Sequence, residues 1–250
     1  MFEVGVEQRG RAEKPADEKG RGNNRAMAPK IRMDNVFDVF QPGLRQGVER
    51  LPFDPRKAYS YVEHPEEGWR VYLRAACFVH EAGAPFDPAR FLVVKRTGGD
   101  PEKKSWEPPK GQMEGRDFKG RHGGQAGAKE KSVLQLLKEN IRREVAEEAK
   151  VVGLRGLHHT GLTLQAVEPD FPPNTYFQYH VFQAFAGGAA IEKAVAEFAW
   201  LEGHPEAFRR LRADQREKDG LGWFNEGTKK LMSRWSPTLV RRYLEAMTPS

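Results

Sequence analysis

The sequence has a single cysteine, Cys77, among its 250 residues. One cysteine cannot form an internal disulfide, which excludes a disulfide-stapled secreted domain and favours a reducing compartment. No apolar run reaches the roughly 20 residues that a membrane-spanning helix needs, and residues 1–32 lack the apolar stretch of a secretory signal. We therefore expect a cytoplasmic protein without a membrane partner, although a nucleus or a viral factory would leave the same pattern.

Charge, in contrast, is plentiful: charged residues make up 30% of the chain, and the net charge is +6 at pH 7. Two stretches of the sequence hold the excess of positive charge. Residues 115–132 have five Lys/Arg against two Asp/Glu, and residues 203–250 have ten against six. A basic balance favours phosphate-bearing partners through long-range attraction, but an ordinary solvated surface would have the same composition.

The sequence pattern divides the chain into three parts. Residues 1–32 mix charge and glycine without periodicity, which predicts a disordered segment, and residues 33–57 form a transition. A single folded domain is predicted for residues 58–250, with a Gly- and Lys-rich insertion at 115–132 and C-terminal helices within 205–250.

Alternating β-branched and aromatic residues predict the strands of this domain. Residues 69–80 and 90–95 flank a Gly/Pro turn and favour an antiparallel hairpin. Residues 175–185 form a further aromatic strand, and residues 199–201 a short one.

The clearest helix is predicted for residues 132–150, because four apolar residues recur there at helical spacing: Leu134, Leu137, Ile141 and Val145. Ser132 is its expected N-cap. Further helices are predicted for residues 205–216 and 237–247. The order of strands, helix, strands and helix predicts an α+β fold, an α/β/α sandwich with a mixed β-sheet.

The same helix carries three glutamates, Glu144, Glu147 and Glu148, over about a third of its circumference. Glu148 falls on the apolar stripe, where a carboxylate suffers desolvation and like-charge repulsion together. A divalent cation relieves both penalties, and Mg²⁺ prefers oxygen ligands. A solvated acidic face, with Arg143 pairing Glu147 at i,i+4, is the alternative.

A rigid loop precedes this helix, WEPPKGQMEG at residues 106–115. Gly111 lets the backbone approach a ligand closely, and Lys110 supplies a positive charge for phosphate, although an ordinary turn would have the same residues. Followed by the acidic helix, the loop indicates a phosphate-plus-metal site.

Together these motifs resemble the Nudix box, G-x5-E-x7-R-E-U-x-E-E-x-G-U, where U is a bulky aliphatic residue. Gly111 matches the opening glycine, and REVAEEAKV at residues 143–151 matches the second half. Lys150 stands where the family has glycine, so the helix must end differently, and the insertion separates the two halves. The early box glutamate would be Asp117, or be replaced by Gln135.

The resemblance implies a Nudix-type fold and a Mg²⁺-dependent hydrolase, with Mn²⁺ as a substitute, in which water attacks phosphorus in a nucleoside diphosphate-linked substrate. It implies four metal ligands: Glu144, Glu147, Glu148 and a distant residue, for which Glu192 is preferred and Glu197 is the alternative. Glu144 or Glu148 would also orient or deprotonate the water.

The resemblance also implies a substrate site. Lys110 would act in catalysis by contacting a phosphate oxygen beside Gly111, and Arg143 would orient the glutamates. Trp106 is a candidate for stacking on a base, as are Phe177 and Tyr179, although a core position is the alternative for each.

The Pro-Lys-Gly segment is similar to that of family members acting on mRNA caps, dinucleoside polyphosphates and diphosphoinositol polyphosphates. The basic stretches favour capped RNA as the substrate. A catalytically silent RNA-binding protein on the same scaffold is a second hypothesis, and a partner-binding adaptor is a third.

Overall fold

The computed structural model describes residues 30–32, 36–51, 54–115, 131–167, 171–224, 230–232 and 234–248. Its strands are β1 Lys30–Arg32, β2 Arg45–Leu51, β3 Asp54–Glu63, β4 Arg70–Glu81, β5 Leu92–Arg96, β6 Trp106–Glu107, β7 Lys110–Gln112, β8 Arg155–Val167, β9 Thr175–Ala186 and β10 Lys218–Trp223. Its α-helices are α1 Val133–Ala149, α2 Gly188–Gly203, α3 Pro205–Arg210 and α4 Ser236–Met247, and a 3₁₀ turn spans Asp214–Arg216.

The larger sheet is mixed, with the strand order β1-β8-β9-β4-β3-β2 and with β7 paired to β4. Strands β4 and β9 run parallel along twelve residues, from Arg70↔Thr175 to Glu81↔Ala186, and the other pairings are antiparallel. A smaller antiparallel sheet has the order β10-β5-β6. The predicted mixed sheet is confirmed.

Successive side chains of a strand point to opposite faces of a sheet. In the larger sheet, helices cover both of these faces. Leu73 and Cys77 of β4 belong to the core cluster that contains Ile141 of α1. Phe78 belongs to the opposite cluster, where its ring stacks on that of Tyr243 of α4 at 3.7 Å. The predicted α+β class and the α/β/α arrangement are therefore confirmed.

Three predictions about single elements are wrong. Residues 69–80 and 90–95 do not form a hairpin, since β4 lies in the larger sheet and β5 pairs with β10 and β6. Residues 199–201 belong to α2, whose buried residues recur at helical spacing as Ile191, Ala194, Phe198 and Leu201. The helix predicted at 205–216 ends at Arg210, and a separate 3₁₀ turn follows.

Regular structure also begins earlier than residue 58. Strand β2 lies within the predicted transition segment 33–57 and pairs with β3 from Arg45↔Glu63 onward. Most of its side chains are exposed, so it lacks the apolar alternation that marks a strand in sequence. The disordered segment predicted at 1–32 lies outside the described residues apart from β1, and so do residues 116–130 of the predicted insertion.

Within the part of the chain that the structure describes, no helix combines the length and the apolar character needed to span a bilayer.

Candidate active site

Helix α1 is fixed at its start by a capping box. The backbone N–H of Gln135 donates to Oγ of Ser132 at 3.3 Å, and the N–H of Ser132 donates to Oε1 of Gln135 at 2.9 Å. These bonds satisfy N–H groups that the first helical turn leaves without partners. The predicted N-cap is confirmed, and Gln135 has a capping role. Asp117, the other candidate for the early box position, lies outside the described residues.

The helix ends at Lys150, which adopts the left-handed conformation that glycine usually supplies, with φ 58°. Its ammonium donates to the backbone carbonyls of Glu147 at 2.9 Å and Gln215 at 3.0 Å. Lys150 therefore has the backbone conformation expected of the glycine that the Nudix box has at this position. Its side chain connects the helix end to the 3₁₀ turn.

Strand β7 brings Gly111 directly against the acidic face of α1. A Cβ atom added at Gly111 would lie 2.0 Å from Cδ of Glu144, well inside van der Waals contact. The amide nitrogen Nδ2 of Asn140, one turn earlier on α1, lies 3.4 Å from Oε1 of Glu144 and 3.4 Å from the carbonyl oxygen of Gln112. The glycine thus has a steric role, since any side chain would displace the glutamate.

Arg143 joins the first two glutamates of the motif. Its Nη1 atom lies 2.9 Å from Oε1 of Glu144 and 3.1 Å from Oε2 of Glu147. The two carboxylates therefore converge on one positively charged nitrogen, and the expected orienting role of Arg143 agrees with this geometry.

These groups line a cleft with a volume of about 110 Å³. Among the residues that the structure describes, five carboxylates and three cations line it: Glu114, Glu144, Glu147, Asp214, Glu217, Lys57, Lys110 and Arg143. The side chain of Lys57 is 40% exposed, and its Nζ lies 3.6 Å from Oε1 of Glu114 and 3.6 Å from Oε1 of Glu217.

The pKa of Glu144 is raised by its surroundings in the cleft. Burial raises its pKa to about 8; Arg143 opposes the rise, and the charges of Glu148, Glu147 and Glu114 add to it. A carboxyl group in this position is stabilised as an anion by any further positive charge that enters the cleft.

Glu148 does not share this cleft, contrary to the prediction that three glutamates converge on one cation. It is buried, with 4% of its surface exposed. Its Oε2 accepts the backbone N–H of Lys110 at 2.9 Å, and its Oε1 lies 3.0 Å from Nζ of Lys218. Among the described residues, no group of three or more acidic, histidine or cysteine side chains is arranged to hold a metal ion.

Glu148 belongs instead to a buried ionic network with Glu107, Lys110 and Lys218. Glu107 contacts Nζ of Lys110 at 2.7 Å, the ammonium of Lys218, and Oγ of Ser236 at 3.2 Å. Burial raises the pKa of Glu107, but the two ammonium groups outweigh this and hold it at about 2. Lys110 lines the cleft, and its ammonium is paired with Glu107.

Sequence reasoning missed Glu107, Lys218 and four charged residues of the cleft: Lys57, Glu114, Asp214 and Glu217. Glu107 could have been recognised from the sequence, because it lies in the same loop motif as Lys110 and Gly111. Lys218 could not, since it meets Glu107 only through the pairing of distant strands. Glu217 directly precedes β10 and lines the cleft, whereas the fourth ligand was expected at Glu192 or Glu197.

The remaining predicted residues lie elsewhere. Glu192 and Glu197 are exposed on α2 and do not line the cleft. The three aromatic candidates for base stacking are buried in the core: Trp106, Phe177 and Tyr179. The core alternative is therefore the one observed for each.

No family model and no curated protein matches this sequence. Among solved structures, the chain is similar to a MutT/Nudix family protein from Listeria innocua, with 16% sequence identity and a TM-score of 0.35. The matched region covers 70% of this chain and 92% of that one.

Proposed function

We propose that this chain is a divalent-cation-dependent hydrolase that cleaves a pyrophosphate link in a nucleotide-like substrate. The observation that carries the proposal is the convergence of Glu144 and Glu147 on one positive centre beside Gly111, inside a cleft. The residues involved are those through which the sequence resembles the Nudix box.

The donor set of the cleft fits a hard cation such as Mg²⁺, which prefers carboxylate oxygens. Glu144 and Glu147 would hold it, and Glu114 also lines the cleft. When bound, such an ion neutralises phosphate oxygens and lowers the pKa of the attacking water. Mn²⁺ would bind the same oxygens.

The chain's own residues supply the remaining parts. Glu144 would accept the proton of a water molecule as its oxygen attacks phosphorus and the anhydride P–O bond breaks, and a cation in the cleft would favour the carboxylate form that this step requires. Lys57, exposed at the cleft, offers a positive charge to a phosphate oxygen. Arg143 keeps the two glutamates side by side.

The decisive experiment is Mg²⁺-dependent turnover by Glu147→Gln, which we expect to be abolished while the fold is retained. The matched control is Glu139→Gln on the same helix, where the exposed carboxylate pairs with Lys131. A second control, Glu192→Gln, removes an exposed glutamate on α2. Undiminished hydrolysis by Glu147→Gln would refute the proposed cation site.

For the substrate we propose capped RNA, on the basis of the net charge of +6 and the similarity of the Pro-Lys-Gly segment to decapping family members. Cap-labelled RNA, diadenosine polyphosphates and diphosphoinositol polyphosphates would be incubated side by side with the protein. Release of m7GDP would select decapping over the other two activities. Binding of RNA with inactivity toward all three substrates would favour the catalytically silent alternative.

A further inference from the structure

We infer that the ammonium of Lys218 acts as a built-in cation for Glu148, so that the third glutamate of the motif holds no metal and the cleft binds cations through Glu144 and Glu147. This inference rests on the proposed function. It predicts that one residue of β10 limits the number of metal ions that the chain binds.

The first argument is the occupancy of the Glu148 oxygens. Oε1 lies 3.0 Å from Nζ of Lys218, and Oε2 accepts the backbone N–H of Lys110 at 2.9 Å. A metal ion at Glu148 would have to displace one of these donors. Displacing Lys218 would leave a buried ammonium with one carboxylate fewer, which is costly in a low-dielectric environment.

The second argument is the charge balance of the buried network. Among the described residues, Glu107 and Glu148 supply two carboxylates to it, and Lys110 and Lys218 supply two ammonium groups. Burial lowers the pKa of Lys218, but the charges of Glu148 and Glu107 outweigh this and raise it, so the ammonium stays charged. A divalent ion added to this balanced group would leave a buried excess of positive charge.

The third argument is the contrast with the neighbouring pair of glutamates. The cation between Glu144 and Glu147 is the guanidinium of Arg143, whose side chain is 22% exposed and borders the cleft. Its partial exposure at the cleft gives water access to this guanidinium if a metal ion displaces it. The side chain of Lys218 is only 7% exposed and has no comparable route to water.

Adjacent residues at the start of β10 reach different sites because the backbone changes conformation between them. Glu217 has helical angles at the end of the 3₁₀ turn, with φ −69° and ψ −23°, and lines the cleft. Lys218, the first residue of the strand, is buried with 6% of its surface exposed. One side chain therefore faces the cleft, and the next enters the buried network.

The test counts Mn²⁺ ions bound to the full chain without substrate, by calorimetry and by the electron paramagnetic resonance of free Mn²⁺. We expect Glu147→Gln to lower Mn²⁺ affinity by about 10–100-fold. We expect Glu148→Gln to leave both affinity and stoichiometry unchanged. Lys218→Met should gain one bound Mn²⁺ per chain, whereas Lys218→Arg, which keeps the charge, should not.

The outcomes separate this inference from the proposed function. A loss of Mn²⁺ affinity in Glu148→Gln comparable to that in Glu147→Gln overturns the inference and leaves the proposed function intact. Absence of Mn²⁺ binding in the native chain overturns both. Circular dichroism verifies that each variant folds, and if Lys218→Met does not, the comparison of Glu148→Gln with Glu147→Gln decides the matter.

Discussion

Gly111 and Glu144 approach each other so closely that a Cβ atom on the glycine would lie 2.0 Å from the carboxyl carbon of the glutamate. The two residues belong to different elements, β7 and α1, and the predicted insertion separates them in sequence. Both residues line the cleft, and the absence of a side chain at Gly111 leaves the space that the Glu144 carboxylate occupies.

We predict that Gly111→Ala lowers Mg²⁺-dependent turnover by about 100-fold or more, because Glu144 must move away from its position in the cleft. The same substitution should change the free energy of unfolding much less, because the atoms that must shift belong to the end of a flexible side chain and not to backbone. Urea unfolding and initial-rate assays would measure the two effects. Gly203→Ala is the matched control, because an added Cβ there meets no atom within 4 Å. Equal activity in the two variants would contradict the steric role of Gly111.

Helix α1 and its contact with β7 illustrate what the sequence could predict. The apolar spacing, the Ser132 cap and the glutamate positions are all encoded within about five turns of one helix, so local periodicity was enough to locate them. The family resemblance then related Gly111 to this helix across the insertion. Local pattern and motif spacing together predicted the Gly111–Glu144 side of the site.

The other side of the site depends on contacts between residues far apart in sequence. Whether Glu148 faces a metal ion or an ammonium group depends on Lys218, and no periodicity connects α1 to the register of β10. Strand β2 escaped prediction for a different reason, since its mostly exposed side chains give no apolar alternation. Sequence patterns report burial and local geometry, whereas the ionic network arises from tertiary pairing.

We predict that Lys150→Gly gives a more stable protein than Lys150→Ala. Both variants lose the bonds from Nζ to the carbonyls of Glu147 and Gln215. Only glycine adopts the positive φ of this position without strain, and the expected difference is about 1 kcal/mol. Thermal unfolding of the two variants would measure it, and equal stability would show that the left-handed conformation carries no cost here.

We predict that acid weakens the native protein partly through Glu107. Its pKa falls from an ordinary 4.5 to about 2 on folding, so its contribution to stability is complete above pH 4.5 and is lost as the pH falls toward 2. The contribution is up to about 3 kcal/mol by linkage. The free energy of unfolding of the native chain minus that of Glu107→Gln should therefore shrink between pH 5 and pH 3. A difference independent of pH would contradict ionised Glu107 as the anchor of the network.

The position of Trp106 predicts that it stabilises the fold without contacting substrate. Its side chain is buried at 4% exposure, and its indole N–H donates to the carbonyl of Pro101 at 2.9 Å. Trp106→Phe should lower the free energy of unfolding by about 1–3 kcal/mol, because it removes ring volume and leaves that carbonyl without its donor. The KM for the cleaved substrate should stay unchanged, since the ring does not line the cleft. Trp200→Phe, at a position 53% exposed on α2, provides the control for a tryptophan outside the core. A tenfold rise in KM at full stability would instead place Trp106 against a substrate base.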